Sequence, residues 1–391
     1  MEKENKKEKF PQPPPDRRLN RKSSQPQMNP YTQNQQNNEK FSNNKNYTSN
    51  SNARNQKNTI EKYENYDESY SNMDLIKQKN IEDLRKQINQ FKILSDKKMF
   101  LNYNYSNIHL NFANFVLFGP SGSGKSSFIR TLFKSLYSTK NLSPDLIDKL
   151  IIKSEFENEG TLKFLRMTLK EHTEESTGIR ICDTRGHILM NKEEKEQFKL
   201  IVEGKVKDNV QVVQSNSRNP LLLWEFWKKD ETIFSDDILL KDNPSLEVIP
   251  HTVILVFDGS SEDIINPEDV EFYRDLVSIS IARAYTDIHV ILTRVDILEE
   301  MAYKRKNQQS KDDIQNLIHS IKDQQIEKVI ESLGVKRSNV HFIENYLSEK
   351  YDNNIEIDYH VLKTLSDMIN SCEQFLLMHF NKNTTCFSKC M

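Results

Sequence analysis

Cysteine is scarce in this sequence: Cys182, Cys372, Cys386 and Cys390 are four in 391 residues, too few and too unevenly spaced for a disulfide framework. The opening MEKENKKEKF is charged, and no signal-peptide core follows it. A reducing, cytoplasmic setting is the expectation. Long apolar runs are missing as well. Stretches such as Val253 to Phe257 are strand-length, against the roughly 20 residues needed to cross a bilayer, so no transmembrane helix is expected. The closing Cys386-Phe-Ser-Lys-Cys390-Met391 places no cysteine four from the end, and prenylation is not expected.

Large aliphatic residues are almost absent from the first sixty positions, which hold runs of Asn, Gln, Lys and Ser and the triplet Pro13-Pro14-Pro15. Such a segment buries too little apolar surface to offset the entropy of ordering it, so residues 1–73 are expected to form a disordered arm. Positions 1–60 carry twelve Lys and Arg against five Asp and Glu, a net of +7; the whole chain is −2, leaving −9 on the remaining 331 residues. The basic residues are scattered, which favours a solvating extension over an arm that contacts RNA, a membrane surface or another anionic partner.

Past the arm, Ile81, Leu84, Ile88 and Phe91 fall at helical spacing and predict one amphipathic helix over 74–98. The pattern is too short to sustain a coiled coil, so packing on its own domain is favoured. From Asn114 onward short β-rich runs alternate with helical patterns, the signature of βαβ units around a mostly parallel sheet. Strands are expected at 115–118, 162–169, 179–182, 253–257, 289–293 and 340–343. Asn266-Pro267-Glu268-Asp269 opens one helix, a second runs from Ser310 to Gly334, and a third from about Tyr359 to Phe380. The expected architecture is a three-layer α/β domain of the P-loop NTPase fold over 99–385, enlarged by an insertion at about 187–250. Within that insertion Pro220 to Trp227 gathers both tryptophans. Core packing is the favoured reading, a partner or lipid-facing patch the alternative.

The strongest motif is Gly119-Pro120-Ser121-Gly122-Ser123-Gly124-Lys125-Ser126, with Ser127 next, a full GxxxxGK[ST] between a strand and a helix pattern. There glycines let backbone N–H groups curl around phosphates, Lys125 reaches the β- and γ-phosphates, and the Ser126 hydroxyl ligates Mg²⁺. Asp183-Thr-Arg-Gly186 at the next strand end suits a second phosphate sensor, Asp183 holding Mg²⁺ through water and Gly186 N–H meeting the γ-phosphate. Thr293-Arg294-Val-Asp296 ends a later strand, and the Asp296 carboxylate can accept from guanine N1 and its amine, which adenine cannot supply. It departs from Asn-Lys-x-Asp in its first two places.

Taken in order, GPSGSGKSS, CDTRG, VFDGSS at Val256 to Ser261, LTRVD and ENYLSE at Glu344 to Glu349 resemble the GTPase domain of the interferon-induced protein 44 family, from about Phe112 to Leu377. The resemblance implies a TRAFAC-type G domain that binds guanine nucleotide, with Asn345 and Tyr346 beside the base. Thr161 is the expected switch threonine, with Thr168, Thr173 and Thr177 as alternatives. His187 stands where many GTPases keep a side chain that orients the attacking water, and with Lys125 it forms the expected catalytic pair; an ordinary loop histidine is the alternative. Three classes of function follow: a slow regulatory GTPase using Mg²⁺ with GTP and GDP, a nucleotide-binding scaffold with little hydrolysis, and an ATP-using P-loop enzyme. The last is disfavoured because no LSGGQ-like segment follows. Protein partners through 220–227 or the arm, and a nucleotide-dependent homodimer, remain open.

Overall fold

The computed structural model describes residues 75–93, 110–137, 163–170, 178–184, 186–187, 190–211, 238–240, 244–285, 287–305, 311–346 and 354–387. The chain divides into two units, Met1–Lys62, which lies outside the described residues, and Tyr63–Met391, to which everything below belongs.

Apolar runs build the centre of a seven-stranded sheet in the order β4-β2-β3-β1-β5-β6-β7. Strands β1 (Phe112–Phe118), β3 (Gly178–Asp183), β5 (Thr252–Asp258), β6 (His289–Thr293) and β7 (Val340–Phe342) pair in parallel. Strand β2 (Lys163–Lys170) runs antiparallel to β3, and the two-residue β4 (Val210–Gln211) antiparallel to β2. Every residue of β6 and almost every residue of β1 and β5 is buried, as strands covered on both faces require. The six expected strands are present, and β4 is additional. Strand β1 starts earlier than its apolar run because the polar Asn114 is accommodated inside. Its amide donates to Glu247 O at 2.8 Å and Ile249 O at 3.1 Å, and its N–H donates to His251 Nδ1 at 3.0 Å. Burial pushes His251 down to about 4, so the ring is neutral, accepting at Nδ1 and donating from Nε2 to Leu246 O.

The helices are α1 (residues 75–89), α2 (Lys125–Leu136), α3 (Lys192–Val202), α4 (Val270–Ala282), α5 (Val295–Arg305), α6 (Lys311–Leu333) and α7 (Ile355–Phe387). Helix ends follow local chemistry. Asn191 accepts from Glu194 N–H ahead of α3, and Asn266 from Glu268 N–H in the 3-10 turn Pro267–Asp269 that leads into α4. Asn354 accepts from Glu356 N–H at 2.9 Å, which starts α7 before the expected Tyr359.

Strand alternation separates the two helical layers. Phe118 of β1 pairs with Leu255, and Phe118 and Phe257 meet Phe198 of α3 and Tyr273 of α4. Thr252, of opposite parity on β5, donates to Met368 O of α7, which packs with α2 on the other face. Ile81 and Ile88 of helix α1, with Phe91 just past its end, join the same core as the sheet. At roughly 1.5–3 kcal/mol per fully buried large side chain, these three pack α1 and its exit against the domain, as its amphipathic spacing predicts.

Candidate nucleotide-binding site

Between β1 and α2 the chain turns through Gly119 to Gly124, and α2 opens on Lys125. Gly124 is left-handed at φ 90°, and a Cβ there would lie 3.1 Å from Thr293 Oγ1 and 3.3 Å from Asn345 Nδ2. Backbone angle and crowding thus both select glycine. Lys125 folds back over the loop: Nζ donates to Gly119 O at 3.0 Å and Pro120 O at 2.8 Å, with Ser123 Oγ at 3.4 Å. Its burial pulls the ammonium down to about 8, and the charge of Asp183 opposes that shift.

One position further on, Ser126 Oγ donates to Asp183 Oδ2 at 2.9 Å, where the fully buried Asp183 ends β3. Thr184 Oγ1 donates to Leu117 O at 2.6 Å and fixes the exit from that strand. His187 N–H then donates to Gly119 O and Ser121 N–H to His187 O, at 3.0 and 2.9 Å, lacing the Asp-x-x-Gly segment to the phosphate loop. A Cβ on Gly186 would sit 2.4 Å from Ser121 Cα, so only glycine permits the lacing. Among the described residues no three His, Cys, Asp or Glu form a metal cluster. A hydroxyl beside one carboxylate at a helix N-terminus nevertheless fits Mg²⁺, which takes oxygen donors and completes its shell with water and phosphate.

The β5–β6 register sets Asp258 opposite Thr293 and so brings Arg294 to the same end of the sheet. Thr293 Oγ1 lies 2.8 Å from Ser123 O and 3.2 Å from Phe257 O. Arg294, at φ 61°, a conformation costing about 1–3 kcal/mol for a side chain of this kind, pairs Nη1 with Asp258 at 2.6 Å and donates Nη2 to Gly122 O at 3.1 Å. Thr293 and Arg294 therefore reach the phosphate loop although they depart from Asn-Lys. Asp258 was not foreseen as a site residue; the signal was an acid at the end of an apolar strand, inside VFDGSS. Asp296 lies in the first turn of α5, half-buried. Burial first, then the charges of Asp296 and Glu299, holds the Glu344 carboxyl above its usual range, so Asp296 and Glu344 are close neighbours.

His187 is 5% exposed and its ring lies among Phe118, Phe272 and Tyr273, at centroid distances of 6.0, 5.2 and 6.1 Å. That enclosure favours the reading of His187 as an ordinary structural histidine, and its backbone N–H and carbonyl meet the phosphate loop. Tyr346 is buried beneath Lys134, whose Nζ stands 4.1 Å from the ring, and its hydroxyl donates to Asp358 Oδ1 at 2.9 Å. It braces the start of the loop after β7, while Asn345 beside it lies 3.3 Å from Thr131 Oγ1 and would crowd a Cβ on Gly124. Thr168 lies within β2, opposite Arg180. The expectations for Thr161, Thr173, Thr177, the arm and residues 220–227 fall outside the described residues.

No family model matches the chain, and no curated protein matches its sequence. Among solved structures, Toc33 from Arabidopsis thaliana in complex with Mg²⁺ and GMPPNP shares 11% identity, covering 76% of this chain and 92% of that one at a TM-score of 0.37. The same protein with GDP and Mg²⁺ gives 11% identity, 74% and 96% coverage and a TM-score of 0.35. The Ski7 GTPase-like domain of S. cerevisiae, bound to GDP and inorganic phosphate, shares 12% identity over 66% of this chain at a TM-score of 0.33. This chain spans about half the length of that Ski7 structure, 51%. At these scores the superpositions carry no weight on function; the architecture rests on the sheet and phosphate loop described above.

Proposed function

We propose that the chain is a guanine-nucleotide-binding regulatory GTPase that holds GTP and GDP with Mg²⁺. The observation that carries this reading is the convergence of three separate segments on one loop: Lys125 and Ser126 on the loop itself, Asp183 at the end of β3, and Thr293 with Arg294 bonded to Ser123 and Gly122. In this reading the loop's N–H groups and the start of α2 hold the phosphates, and Lys125 exchanges its carbonyl partners for phosphate oxygens. Ser126 and Asp183 would hold the Mg²⁺, which when bound offsets the negative charge of the phosphates. Asp296 accepts from the guanine edge. Calorimetry with GTP and ATP side by side should show guanine nucleotide bound at least tenfold more tightly, about 1.4 kcal/mol. Equal affinities would remove the role of Asp296.

A second reading, a nucleotide-binding scaffold with negligible turnover, is favoured by the burial of the His187 imidazole among Phe118, Phe272 and Tyr273. Phosphate release measured under single-turnover conditions, beside tight binding, separates the two. Slow release is expected, since switch GTPases without a partner protein turn over on the order of 10⁻⁴ per second.

Lys125 also makes binding depend on pH. Its ammonium titrates near 8 in the free site, and a bound polyphosphate raises that value. Binding above pH 8 must then take up a proton, so affinity should be flat below pH 8 and weaken above it, by up to about tenfold per pH unit. GDP titrations between pH 7 and 9 in buffers of different ionisation enthalpy should show both the weakening and the proton uptake.

A further inference from the structure

The loop after β7 is anchored at three points, and the last of them lies outside the sheet-and-loop machinery. Thr131, one turn and a half into α2 and fully buried, accepts Tyr346 N–H at 3.0 Å and lies 3.3 Å from Asn345 Oδ1. The Tyr346 hydroxyl donates to Asp358 Oδ1 at 2.9 Å and accepts Asn354 N–H at 2.8 Å, tying the loop to the start of α7. Asp358, 3% exposed, receives Arg85 Nη2 of α1 on its second oxygen at 2.8 Å. Arg85 also donates Nε to Ser135 O of α2 at 2.8 Å. One guanidinium on α1 therefore bridges the phosphate-loop helix and the helix that braces Asn345. Without it, Asp358 would be a desolvated carboxylate facing a neutral phenol, a costly arrangement that favours displacement of Tyr346.

We propose that Arg85 is a positioning residue for the nucleotide: by neutralising Asp358 it holds Tyr346 and Asn345 against Gly124 and Thr131, and so slows nucleotide release. The proposal rests on the guanine-nucleotide reading above and adds a control point to it. Helix α1 is bound to the domain by Ile81 and Ile88, about one turn before and after Arg85, while its Lys77–Glu356 pair is exposed and adds little. The bridge ties nucleotide residence time to the docking of α1.

The test is the dissociation rate of a fluorescent GDP analogue from the full chain. Arg85→Ala should release it at least five times faster than wild type, and Tyr346→Phe, which keeps the ring but removes the hydroxyl, should do likewise. The double variant should be no faster than the faster single, because both break one chain of contacts. Arg85→Lys, able to pair with Asp358 but not to bond Ser135 at the same time, should restore part of the slow release. Lys77→Ala, at an exposed ion pair on the same helix, should leave the rate unchanged, which separates the bridge from general loosening of α1. An unchanged rate in both Arg85→Ala and Tyr346→Phe, or fully additive effects in the double variant, overturns the proposal while leaving the nucleotide site intact. A wild-type chain that binds no guanine nucleotide removes the parent reading, and this proposal with it.

Discussion

Lys125→Ala is expected to lower affinity for both GTP and GDP by about 10²-fold or more, the scale for truncating one partner of a desolvated charge contact. Lys125 is 5% exposed and its three polar neighbours are two carbonyls and the Ser123 hydroxyl, so the free site holds a cation poised for an anion. The same geometry predicts that folding will not suffer in proportion. An ammonium whose burial drags it to about 8 is costly to keep dry, and its removal offsets the two lost carbonyl bonds. Calorimetry beside a thermal melt of the nucleotide-free variant distinguishes the two effects. Wild-type affinity in a folded variant would mean that the phosphates do not sit on this loop.

The second large effect concerns magnesium. Adding Mg²⁺ should tighten GDP binding to the wild-type chain, and Asp183→Asn should lose most of that increment, about 10- to 100-fold, as outer-shell metal partners do. Asparagine still offers an oxygen to the Ser126 hydroxyl, which now donates to Asp183 at 2.9 Å, so the loop keeps its shape. In EDTA the two proteins should bind GDP alike. A magnesium increment that survives the substitution would take Asp183 out of the metal site.

Both predictions concern residues that could be read directly from the sequence, and the reason is local. A phosphate cradle needs consecutive backbone amides, a turn made of glycines and a lysine at a fixed offset, and all of that fits in the eight residues from Gly119 to Ser126. Asp183 and Gly186 are legible for the same reason, three positions apart at a strand end. Thr293 and Arg294 looked like departures from a pattern. In the folded chain they do what tethers must do, one hydroxyl and one guanidinium on the carbonyls of Ser123 and Gly122. For His187, chain position suggests chemistry but says nothing of the aromatic wall that Phe272 and Tyr273 on α4 bring against it.

Composition and period were enough to specify a parallel α/β sheet with buried strands, a phosphate loop at its centre and an amphipathic helix ahead of it, because each of these is a property of residues close together in the chain. The bracing of that loop is of another kind. Thr131 meets Asn345 across 214 positions, Arg85 meets Asp358 across 273, and Arg294 meets Asp258 only through the register of β5 against β6. A single polar side chain carries no mark of a partner so distant, since serine, threonine, aspartate and arginine are equally at home in water. Packing α1, α2 and α7 together gives the first two pairs their partners and the sheet's register gives the third, and with them the site its rigidity.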